Sequence, residues 1–355
     1  MAKVLMKGNE AVAEAAVRGG CRFFAGYPIT PQSEISEYLS GRLPEVGGVF
    51  VQGESEVASI NMVYGAASSG VRAMTGSSGL GISLKAEGMS YLAGSHLPAV
   101  IVSVTRGGPG LGSIQPAQQD YLQVTKALGH GGFKYIVEAP HTVQEAVDLV
   151  YDAFELAERD RNPVFVVYDG CLGSVMEEVE LPPMKELPER PDWAVGNFTD
   201  APRARRMVSS IPGEVMLEKQ NIASEKMYQR WAEEDARWEE FVVDDAEYVC
   251  FAYGMSARVC KYAINELRKE GIKLGLIRPI TLYPFPKKAL DNLDYNRVKA
   301  IIDVEMAIPC QMEDDIALQV MGRAPILKYA HSGGVTLKNE ETTAAIRALI
   351  GGLNK

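Results

Sequence analysis

The sequence predicts an α/β protein made of two doubly wound parallel-sheet domains, and three observations predict it. Apolar strand segments alternate with amphipathic helix segments over residues 1–180, and the alternation resumes over residues 245–355. Several strands, such as Ala99–Thr105, are apolar at nearly every position, which is typical of parallel strands covered on both faces. Residues 181–244 between these regions combine a proline-rich stretch with a long amphipathic segment, which predicts a connector and a helix.

The composition disfavours several classes of protein. The chain has 355 residues, of which 46% are hydrophobic and 23% are charged, as in an ordinary soluble globular protein. Its formal net charge of −10 argues against nucleic acid or an anionic membrane as a partner. Residues 1–5 contain no signal-peptide core, and no apolar run reaches membrane-spanning length. We therefore expect a soluble, cytoplasmic protein.

The cysteines and histidines are scattered along the chain. The five cysteines form no Cys-x-x-Cys pair, so their spacing predicts neither a zinc site nor a cysteine-ligated iron–sulfur cluster. It favours buried thiols in a reducing compartment. The four histidines are isolated too, and none is predicted to be catalytic. The cysteines are Cys21, Cys171, Cys250, Cys260 and Cys310.

Local signals predict the first elements. Asn9 is a plausible N-cap of a helix that ends at the pair Gly19-Gly20, and Cys21–Ala25 predicts a short buried strand. Pro31 suits the first turn of a helix that runs towards Leu43.

The next elements carry most of the polar residues of interest. Val49–Val51 predicts a strand, and Ser55 is the predicted N-cap of a helix that begins with Glu56. Ala73–Thr75 predicts another strand, and Gly76–Gly79 opens the next helix. The first region then continues with a strand at Ala99–Thr105, a helix from Thr142 to about Arg159 and a strand at Val164–Tyr168.

The second half of the chain repeats the alternation after one long helix. Glu214–Phe241 is predicted to be helical, with a packing face formed by Tyr228, Trp231, Trp238 and Val242. The predicted strands that follow are Tyr248–Tyr253, Lys273–Ile277, Ala300–Val304 and Ile326–Tyr329, with a helix from Gly254 to about Arg268.

Two kinds of segment are candidates for chemistry. Glu56 places a carboxylate at a helix start inside an otherwise apolar unit, which is unfavourable unless that carboxylate binds something. The glycine-rich segments 79–81 and 107–112 do not match Gly-x-Gly-x-x-Gly, and Pro109 lacks an N–H that a phosphate would need. We therefore predict a substrate-facing loop rather than a nucleotide-binding loop.

Several motifs in register resemble the 2-oxoacid:ferredoxin oxidoreductases, and specifically the α subunit of the multi-subunit form. They are Gly-Tyr-Pro-Ile-Thr-Pro at 26–31, Glu-Ser-Glu at 54–56, Thr-Gly-Ser-Ser-Gly at 75–79, Thr-Arg-Gly-Gly-Pro at 105–109 and Gln119-Asp120. Residues 276–286 resemble the start of the family's transketolase-C-terminal-like domain. Within the family, residues 90–94 and 109–116 most resemble the branched-chain (3-methyl-2-oxobutanoate) type.

The resemblance implies three domains or segments and particular site residues. Residues 1–180 would bind the pyrimidine half of thiamine diphosphate, 181–244 would connect, and 245–355 would form the transketolase-C-terminal-like domain. Glu56 matches the catalytic glutamate that hydrogen-bonds the aminopyrimidine, with Glu54 as the alternative. The implied cofactor contacts also include Tyr27, Pro28, Ile29, Ser78 and Gly79.

The resemblance also implies a substrate-binding pair. Arg106 matches the arginine that holds the substrate carboxylate, and a guanidinium fork binds a carboxylate with two hydrogen bonds. Thr30 matches the threonine beside the substrate's oxo and carboxylate groups. The structural alternatives are a surface position for Arg106 and a helix N-cap for Thr30.

One expected half of the cofactor site is missing. Diphosphate and Mg²⁺ binding in this family needs Gly-Asp-Gly followed by an asparagine, and Tyr168-Asp169-Gly170 with Asn197 only imitates that pattern. We therefore expect no metal site in this chain. The resemblance implies a β subunit with the diphosphate and magnesium site and an iron–sulfur cluster, together with γ and ferredoxin-like subunits.

The implied reaction is the oxidative decarboxylation of a branched-chain 2-oxoacid with coenzyme A to acyl-CoA, CO₂ and reduced ferredoxin. Arg106 is the only basic residue from Thr105 to Thr125, which favours a substrate with a single carboxylate. The alternatives are a 2-oxoglutarate- or pyruvate-specific member of the same family, half of a transketolase-like thiamine enzyme without electron transfer, and a non-catalytic subunit.

Overall fold

The computed structural model describes residues 3–195 and 213–353, and it shows an α/β architecture as predicted. In the first part of the chain the elements are, in order, β1 (Lys3–Lys7), α1 (Gly8–Arg18), β2 (Phe23–Gly26), α2 (Ser33–Glu45), β3 (Val49–Gln52), α3 (Glu56–Ser68), β4 (Ala73–Ser77), α4 (Leu80–Gly94), β5 (Val100–Gly107), β6 (Ser113–Pro116), α5 (Tyr121–Thr125), β7 (Ile136–Glu138), α6 (Val143–Asp160), β8 (Val164–Asp169), α7 (Gly170–Ser174) and β9 (Met176–Glu180).

The second part of the chain contains the remaining elements. They are α8 (Glu214–Glu234), β10 (Trp238–Phe241), β11 (Tyr248–Phe251), α9 (Gly254–Lys269), β12 (Leu274–Pro279), β13 (Thr281–Tyr283), α10 (Lys287–Asp291), β14 (Ala300–Glu305), α11 (Glu313–Val320), β15 (Ile326–Ala330) and α12 (Asn339–Leu353).

The larger sheet has the strand order β13-β7-β8-β5-β4-β2-β3, with β6 attached to β5. All pairs from β7 to β3 are parallel, whereas β13 and β6 pair antiparallel with their neighbours. Alternate residues of β5 face opposite cores: Val100 and Val102 pack with α1, α2 and α6, and Ile101 packs with α3 and α4. A strand covered on both faces explains the nearly continuous apolar sequence.

The smaller sheet has the order β10-β12-β11-β14-β15. Strands β12, β11, β14 and β15 run parallel to one another, and β10 pairs antiparallel with β12 at one edge. One face packs on α9 and α12, and the other shares a continuous core with the larger sheet. β1 and β9 form a separate antiparallel pair. The antiparallel edges and this pair were not predicted, because short edge strands leave little periodicity in sequence.

The structure corrects several local predictions. α8 ends at Glu234, and Trp238 lies on β10 rather than on the helix stripe. Asn9 does not cap α1; its side chain donates to Pro31 O at 2.8 Å and to Glu34 Oε2 at 2.9 Å. α2 begins only at Ser33, two residues after Pro31.

Other local predictions are confirmed. Ser55 Oγ accepts a hydrogen bond from Ala58 N at 3.1 Å, and Thr142 Oγ1 accepts one from Glu145 N at 3.1 Å, so both residues are N-caps. Residues 181–195 form no helix or strand. They run over helices that cover the larger sheet, and Arg18 Nη1 on α1 donates to Pro182 O at 2.8 Å. Within the described residues, no helix combines the length and apolar character that crossing a membrane requires.

The two sheets are tied together by buried polar contacts. Arg278 on β12 is 3% exposed and donates to both carboxylate oxygens of Glu145 on α6, at 3.0 and 2.8 Å. Its Nε donates to Glu239 Oε2 on β10 at 2.7 Å. Burial would raise the pKa of Glu145, but hydrogen bonds from His141 and Arg278 outweigh it and lower that pKa to about 2. These contacts fix how α6 sits against the smaller sheet.

We predict that Arg278→Met lowers the free energy of unfolding by about 3–5 kcal/mol at pH 7, because it removes the buried guanidinium from Glu145 and Glu239, which keep only His141 and Lys261 as partners. A group whose folded pKa is depressed stabilises the fold above its unfolded pKa, here 4.5, and loses that effect as the pH falls towards 2. The difference between variant and wild type should therefore shrink from pH 4.5 downwards. Urea unfolding at several pH values measures it.

Arg347→Met is the matched control, because Arg347 pairs with Glu270 where both side chains are largely exposed. It should change stability much less than Arg278→Met. Equal losses for the two variants would contradict a special role for the Arg278 contacts.

Candidate active site at the carboxyl edge of the larger sheet

The predicted site residues follow the carboxyl ends of adjacent parallel strands. β2 and β3 end side by side, since Gly53 N donates to Gly26 O at 3.0 Å. β4 is joined to β2 by Thr75 Oγ1, which donates to Ala25 O at 2.7 Å. Because the carboxyl ends of parallel strands meet at one edge, the loops after β2, β3, β4 and β5 converge there.

Glu56 is the first residue of α3 and is only 6% exposed. Its neighbour Ser55 caps the helix, which frees the Glu56 side chain from any capping role. No described residue donates a hydrogen bond to the Glu56 carboxylate, although its backbone carbonyl faces Lys85. Glu54, the alternative, is exposed. The structure therefore favours Glu56 as the carboxylate that is buried and available to a ligand.

The turn between β4 and α4 forms the wall beside Glu56. A Cβ atom at Gly81 would lie 2.1 Å from Ser77 Oγ and 2.7 Å from Glu56 Oε1, so only glycine fits there. The hydroxyl oxygens of Ser77 and Ser78 are buried and have no hydrogen-bond partner. A carboxylate acceptor next to unpaired hydroxyls fits an aminopyrimidine ring, which carries both donors and acceptors.

Lys85 is a functional candidate that sequence reasoning missed. It lies on α4 with 0% exposure, and its Nζ is 3.5 Å from the backbone carbonyl of Glu56. Burial lowers the pKa of Lys85 to about 8, and the nearby charge of Glu56 partly opposes that shift. Its position in an apolar helix gave no signal in the sequence.

Arg106 lies at the end of β5 and is 6% exposed, so it is not a surface arginine. Its Nη1 donates to Thr30 O at 2.9 Å and its Nη2 donates to Leu111 O at 3.1 Å. Among the described residues, no carboxylate forms an ion pair with this guanidinium. Two backbone carbonyls thus hold the side chain in place while its charge remains available to an anion.

Thr30 lies next to Arg106, but through its backbone. Its side chain is exposed and does not cap α2, whose N-cap is Gln32. Tyr27 and Pro28 are also exposed, and Ile29 is half-buried. The segment after β2 therefore presents its side chains outward from the sheet edge.

A cleft of about 640 Å³ opens beside Arg106. Its walls come from the β4–α4 turn, the loop after β5, the start of α5 and the loop after β14 in the second half of the chain. The residues lining it are Gly79, Leu80, Ser83, Arg106, Gly107, Gly108, Pro109, Gly110, Gln119, Asp120, Gln123, Ile308, Pro309 and Gln311. The glycine-rich loop at residues 107–112, which was predicted to face a substrate, thus lines this cleft.

Asp120 is the second titratable group in this cleft. Its Oδ2 is buried without a hydrogen-bond partner. Burial raises the pKa of Asp120 to about 6, and the positive charge of Arg106 partly opposes the shift. A cleft that holds one guanidinium and a carboxyl group with this pKa is suited to bind an anion.

The β4–α4 turn separates the two halves of the candidate site. A Cβ at Gly79 would lie 3.9 Å from Arg106 Cγ and 4.0 Å from Asp120 Oδ2, whereas Gly81 contacts Glu56. Glu56 itself does not line the cleft. The structure therefore brings Arg106, Thr30 and Gly79 together directly, and it places Glu56 on the other side of the same turn.

Asp169 has a structural role in this chain. Its Oδ1 accepts hydrogen bonds from the backbone N–H groups of Cys171 at 2.8 Å and Leu172 at 3.4 Å, which caps α7. Burial raises the pKa of Asp169 to about 6. Asn197, the other half of the imitated motif, lies outside the described residues.

Two protein families match successive parts of the chain. The family described as pyruvate flavodoxin/ferredoxin oxidoreductase, thiamine diP-binding, matches residues 14–234. The family described as pyruvate:ferredoxin oxidoreductase core domain II matches residues 246–342.

Curated relatives extend this match over the whole chain. The ketoisovalerate oxidoreductase subunit VorB of Methanothermobacter marburgensis is 45% identical over 357 residues, which cover 100% of both chains. The 2-oxoglutarate synthase subunit KorA of Methanocaldococcus jannaschii is 36% identical over 317 residues, which cover 82% of this chain and 86% of the relative.

A solved structure shares the fold. It is a 2-oxoglutarate:ferredoxin oxidoreductase from Magnetococcus marinus with 2-oxoglutarate, coenzyme A and succinyl-CoA bound, with a TM-score of 0.81 and 24% identity. The likeness covers 98% of this chain and 65% of that one, so this chain spans less than two thirds of its neighbour. The first family match, together with a 45% identical relative of the same length, establishes that the chain belongs to the thiamine-diphosphate-dependent 2-oxoacid:ferredoxin oxidoreductases.

Proposed function

We propose that this chain is the α subunit of an oxidoreductase that decarboxylates a branched-chain 2-oxoacid and transfers the acyl group to coenzyme A and the electrons to ferredoxin. One observation carries the proposal for the site: a buried carboxylate, Glu56, and a guanidinium without a carboxylate partner, Arg106, flank the same glycine turn. The 45% identical relative named as a ketoisovalerate oxidoreductase subunit supports the substrate class.

Glu56 is the proposed partner of the aminopyrimidine ring. Thiamine diphosphate supplies, when bound, the nucleophilic carbon and the electron sink that 2-oxoacid decarboxylation requires. Glu56 would share a proton between its carboxylate and the far ring nitrogen, and this contact selects the ring tautomer that can act as a base. Tyr27, Pro28, Ile29, Ser78 and Gly79 are proposed to pack around the same ring.

Arg106 and Thr30 are the proposed substrate contacts. The guanidinium is held by the carbonyls of Thr30 and Leu111, so it can bind a carboxylate without first losing side-chain freedom. Thr30 presents an exposed hydroxyl beside it that can donate to an oxo or carboxylate oxygen. Asp120 faces Arg106 across the cleft, and a bound carboxylate would favour the protonated form of Asp120.

The other half of the site is proposed to come from a β subunit. Asp169 is engaged as a helix cap, and the exposed side chains after β2 leave a surface that a second chain can cover. We propose that the β subunit contributes the diphosphate and Mg²⁺ site and an iron–sulfur cluster, with γ and ferredoxin-like subunits completing the complex. The names of the relatives, which are called subunits, support a complex of several chains.

Glu56→Gln should reduce the turnover of the assembled complex by roughly 10²–10⁴, the usual range for a lost acid–base contribution. The amide keeps the size of the side chain, so circular dichroism and assembly should be unchanged. Steady-state rates with saturating thiamine diphosphate measure the effect.

Glu54→Gln is the matched control, because Glu54 is two residues away and exposed. Its turnover should stay near wild type. Near-normal turnover of Glu56→Gln, or loss of turnover in Glu54→Gln, would show that the wrong carboxylate has been assigned.

Arg106→Lys should reduce kcat/KM for the 2-oxoacid by an amount equivalent to about 1.5–3 kcal/mol, because an ammonium group cannot replace a two-point fork. The same substitution at Arg347, on α12, serves as control and should leave kcat/KM unchanged. An unchanged kcat/KM for Arg106→Lys across several 2-oxoacids would place Arg106 outside the substrate site.

Branched-chain 2-oxoacids should be preferred over 2-oxoglutarate. Among the described residues that line the cleft, Arg106 is the one cation, and a second buried carboxylate without a partner is unfavourable. Discrimination among branched-chain acids should be small, since one methylene in an apolar pocket contributes only ~1–3 kcal/mol.

Comparison of kcat/KM values on the whole complex decides this substrate assignment. A higher value for 2-oxoglutarate than for 3-methyl-2-oxobutanoate would mean that a partner subunit supplies the second cation. The substrate assignment would then be wrong, whereas the roles of Glu56 and Arg106 would still be testable by the variants above.

A further inference from the structure

A second group of polar side chains lies at the carboxyl end of β14, away from Glu56. Asp303 and Glu305 are both 0% exposed, and Cys310 is half-buried on the following loop. One carboxylate oxygen of each acid and the Cys310 sulfur all lie within 4.8 Å of one another. In residues 3–195 and 213–353, this is the one group of three or more such side chains close enough to hold a metal ion.

The two carboxylates differ in how they are supported. Glu305 accepts hydrogen bonds from the backbone N–H groups of Met312 at 2.8 Å and Gln311 at 3.1 Å, so the loop after β14 folds around it. Outside the cluster itself, no described residue donates a hydrogen bond to either oxygen of Asp303, although both oxygens are buried. Fully buried carboxylate oxygens without a donor are rare in native proteins and indicate a missing partner.

The surrounding charges do not compensate this cluster. Glu313, at the start of α11, is a further carboxylate close enough to Asp303 for electrostatic interaction. Lys328 is the nearby cation, and its Nζ lies 2.9 and 3.0 Å from the two oxygens of Glu313. Its charge is therefore largely committed to a residue outside the cluster. Two buried acids facing each other need a positive charge or a shared proton.

We propose that Asp303, Glu305 and Cys310 bind a divalent metal ion of the zinc type. One sulfur and two oxygen donors suit Zn²⁺, which accepts cysteine and carboxylate ligands, and suit Mg²⁺ or Ca²⁺ poorly because these prefer oxygen alone. Because Cys310 is only half-buried, the ion has a route to enter.

A metal ion here would support the wall of the substrate cleft. The loop between β14 and α11 carries Cys310 and also Ile308, Pro309 and Gln311, which line the cleft beside Arg106. Gln311 Nε2 donates to Gln119 O at 2.7 Å, and its Oε1 accepts from Leu122 N at 2.9 Å. An ion that joins Cys310 to β14 would fix this loop to the strand, in addition to the contacts of Gln311. The role of the ion would therefore be to position the loop. The proposal does not depend on the assigned substrate.

Cobalt substitution tests the proposal on the full-length chain. After dialysis against a chelator, titration with Co²⁺ should produce a thiolate-to-metal charge-transfer band in the near ultraviolet that saturates at one ion per chain. Addition of Zn²⁺ should remove this band. Zn²⁺ should also protect Cys310 from alkylation, as measured by peptide mass spectrometry.

Two variants and one control assign the ligands. Cys310→Ser should abolish the charge-transfer band, and Asp303→Asn should weaken Co²⁺ binding at least tenfold while leaving the circular dichroism spectrum unchanged. Cys171→Ser should behave like wild type, because Cys171 is also half-buried and lies beside a carboxylate, Asp169, but outside the cluster.

The same measurements can overturn the proposal. If wild-type protein shows no cobalt–thiolate band, and Zn²⁺ does not protect Cys310, the two acids are compensated by a shared proton and there is no metal site. If the band persists in Cys310→Ser, the ion binds elsewhere and the assignment is equally wrong. The titration of the wild-type protein alone decides whether a metal site with a thiolate ligand exists. The proposal is therefore tested even if a variant fails to fold.

Discussion

The close packing of the β4–α4 turn is the constraint on which the candidate site depends. Gly81 allows Glu56 Oε1 to approach to a distance that any side chain would block, and Gly79, with φ at +45°, lets the same turn pass beside Arg106. This turn therefore separates a buried acceptor, Glu56, from a buried cation, Arg106. The parallel sheet places this turn at the edge where neighbouring loops converge. Glu56 and Ser77 lie on one side of the turn, and Arg106 and Asp120 lie on the other.

The smaller sheet completes the site rather than standing apart from it. Gln118 N donates to Met306 O at 2.9 Å, and Gln118 Oε1 accepts from Met306 N at 3.0 Å, so the segment between β6 and α5 is joined to the loop after β14. A Cβ at Gly107 would lie 2.9 Å from the backbone of Gly333. β13, from the second half of the chain, extends the larger sheet. These contacts join residues on opposite sides of the predicted domain boundaries at residues 180 and 245. The division of the chain into domains at these boundaries stays a prediction.

Sequence patterns predicted the elements whose local signals are strong, and missed the contacts that only tertiary structure creates. Ser55 and Thr142 are confirmed caps because the capping geometry involves residues three apart. Asn9 was wrongly taken as a cap because its side chain bonds to Pro31 and Glu34, more than twenty residues away. Lys85 gave no signal, since its burial beside Glu56 depends on how α3 packs against α4. The roles of Glu56 and Arg106 rested on the family resemblance. The structure adds that both are buried and that, among the described residues, the Glu56 carboxylate has no hydrogen-bond donor and the Arg106 guanidinium has no carboxylate partner.

Among the described residues, five of the ten buried side-chain polar atoms that lack a hydrogen-bond partner lie at the carboxyl edge of the larger sheet, where the function is proposed. These five atoms are Gln32 Oε1, the hydroxyls of Ser77 and Ser78, Asp120 Oδ2 and Gln123 Oε1, whereas the others are Arg22 Nε, Ser103 Oγ, both carboxylate oxygens of Asp303 and Thr342 Oγ1. Native proteins pair nearly all such atoms, because an unpaired buried donor or acceptor destabilises the fold by about 1–3 kcal/mol. The position of these five atoms beside Glu56 and Arg106 supports the proposal that this edge contacts something more polar than its own side chains, such as a cofactor ring, a 2-oxoacid or a second subunit.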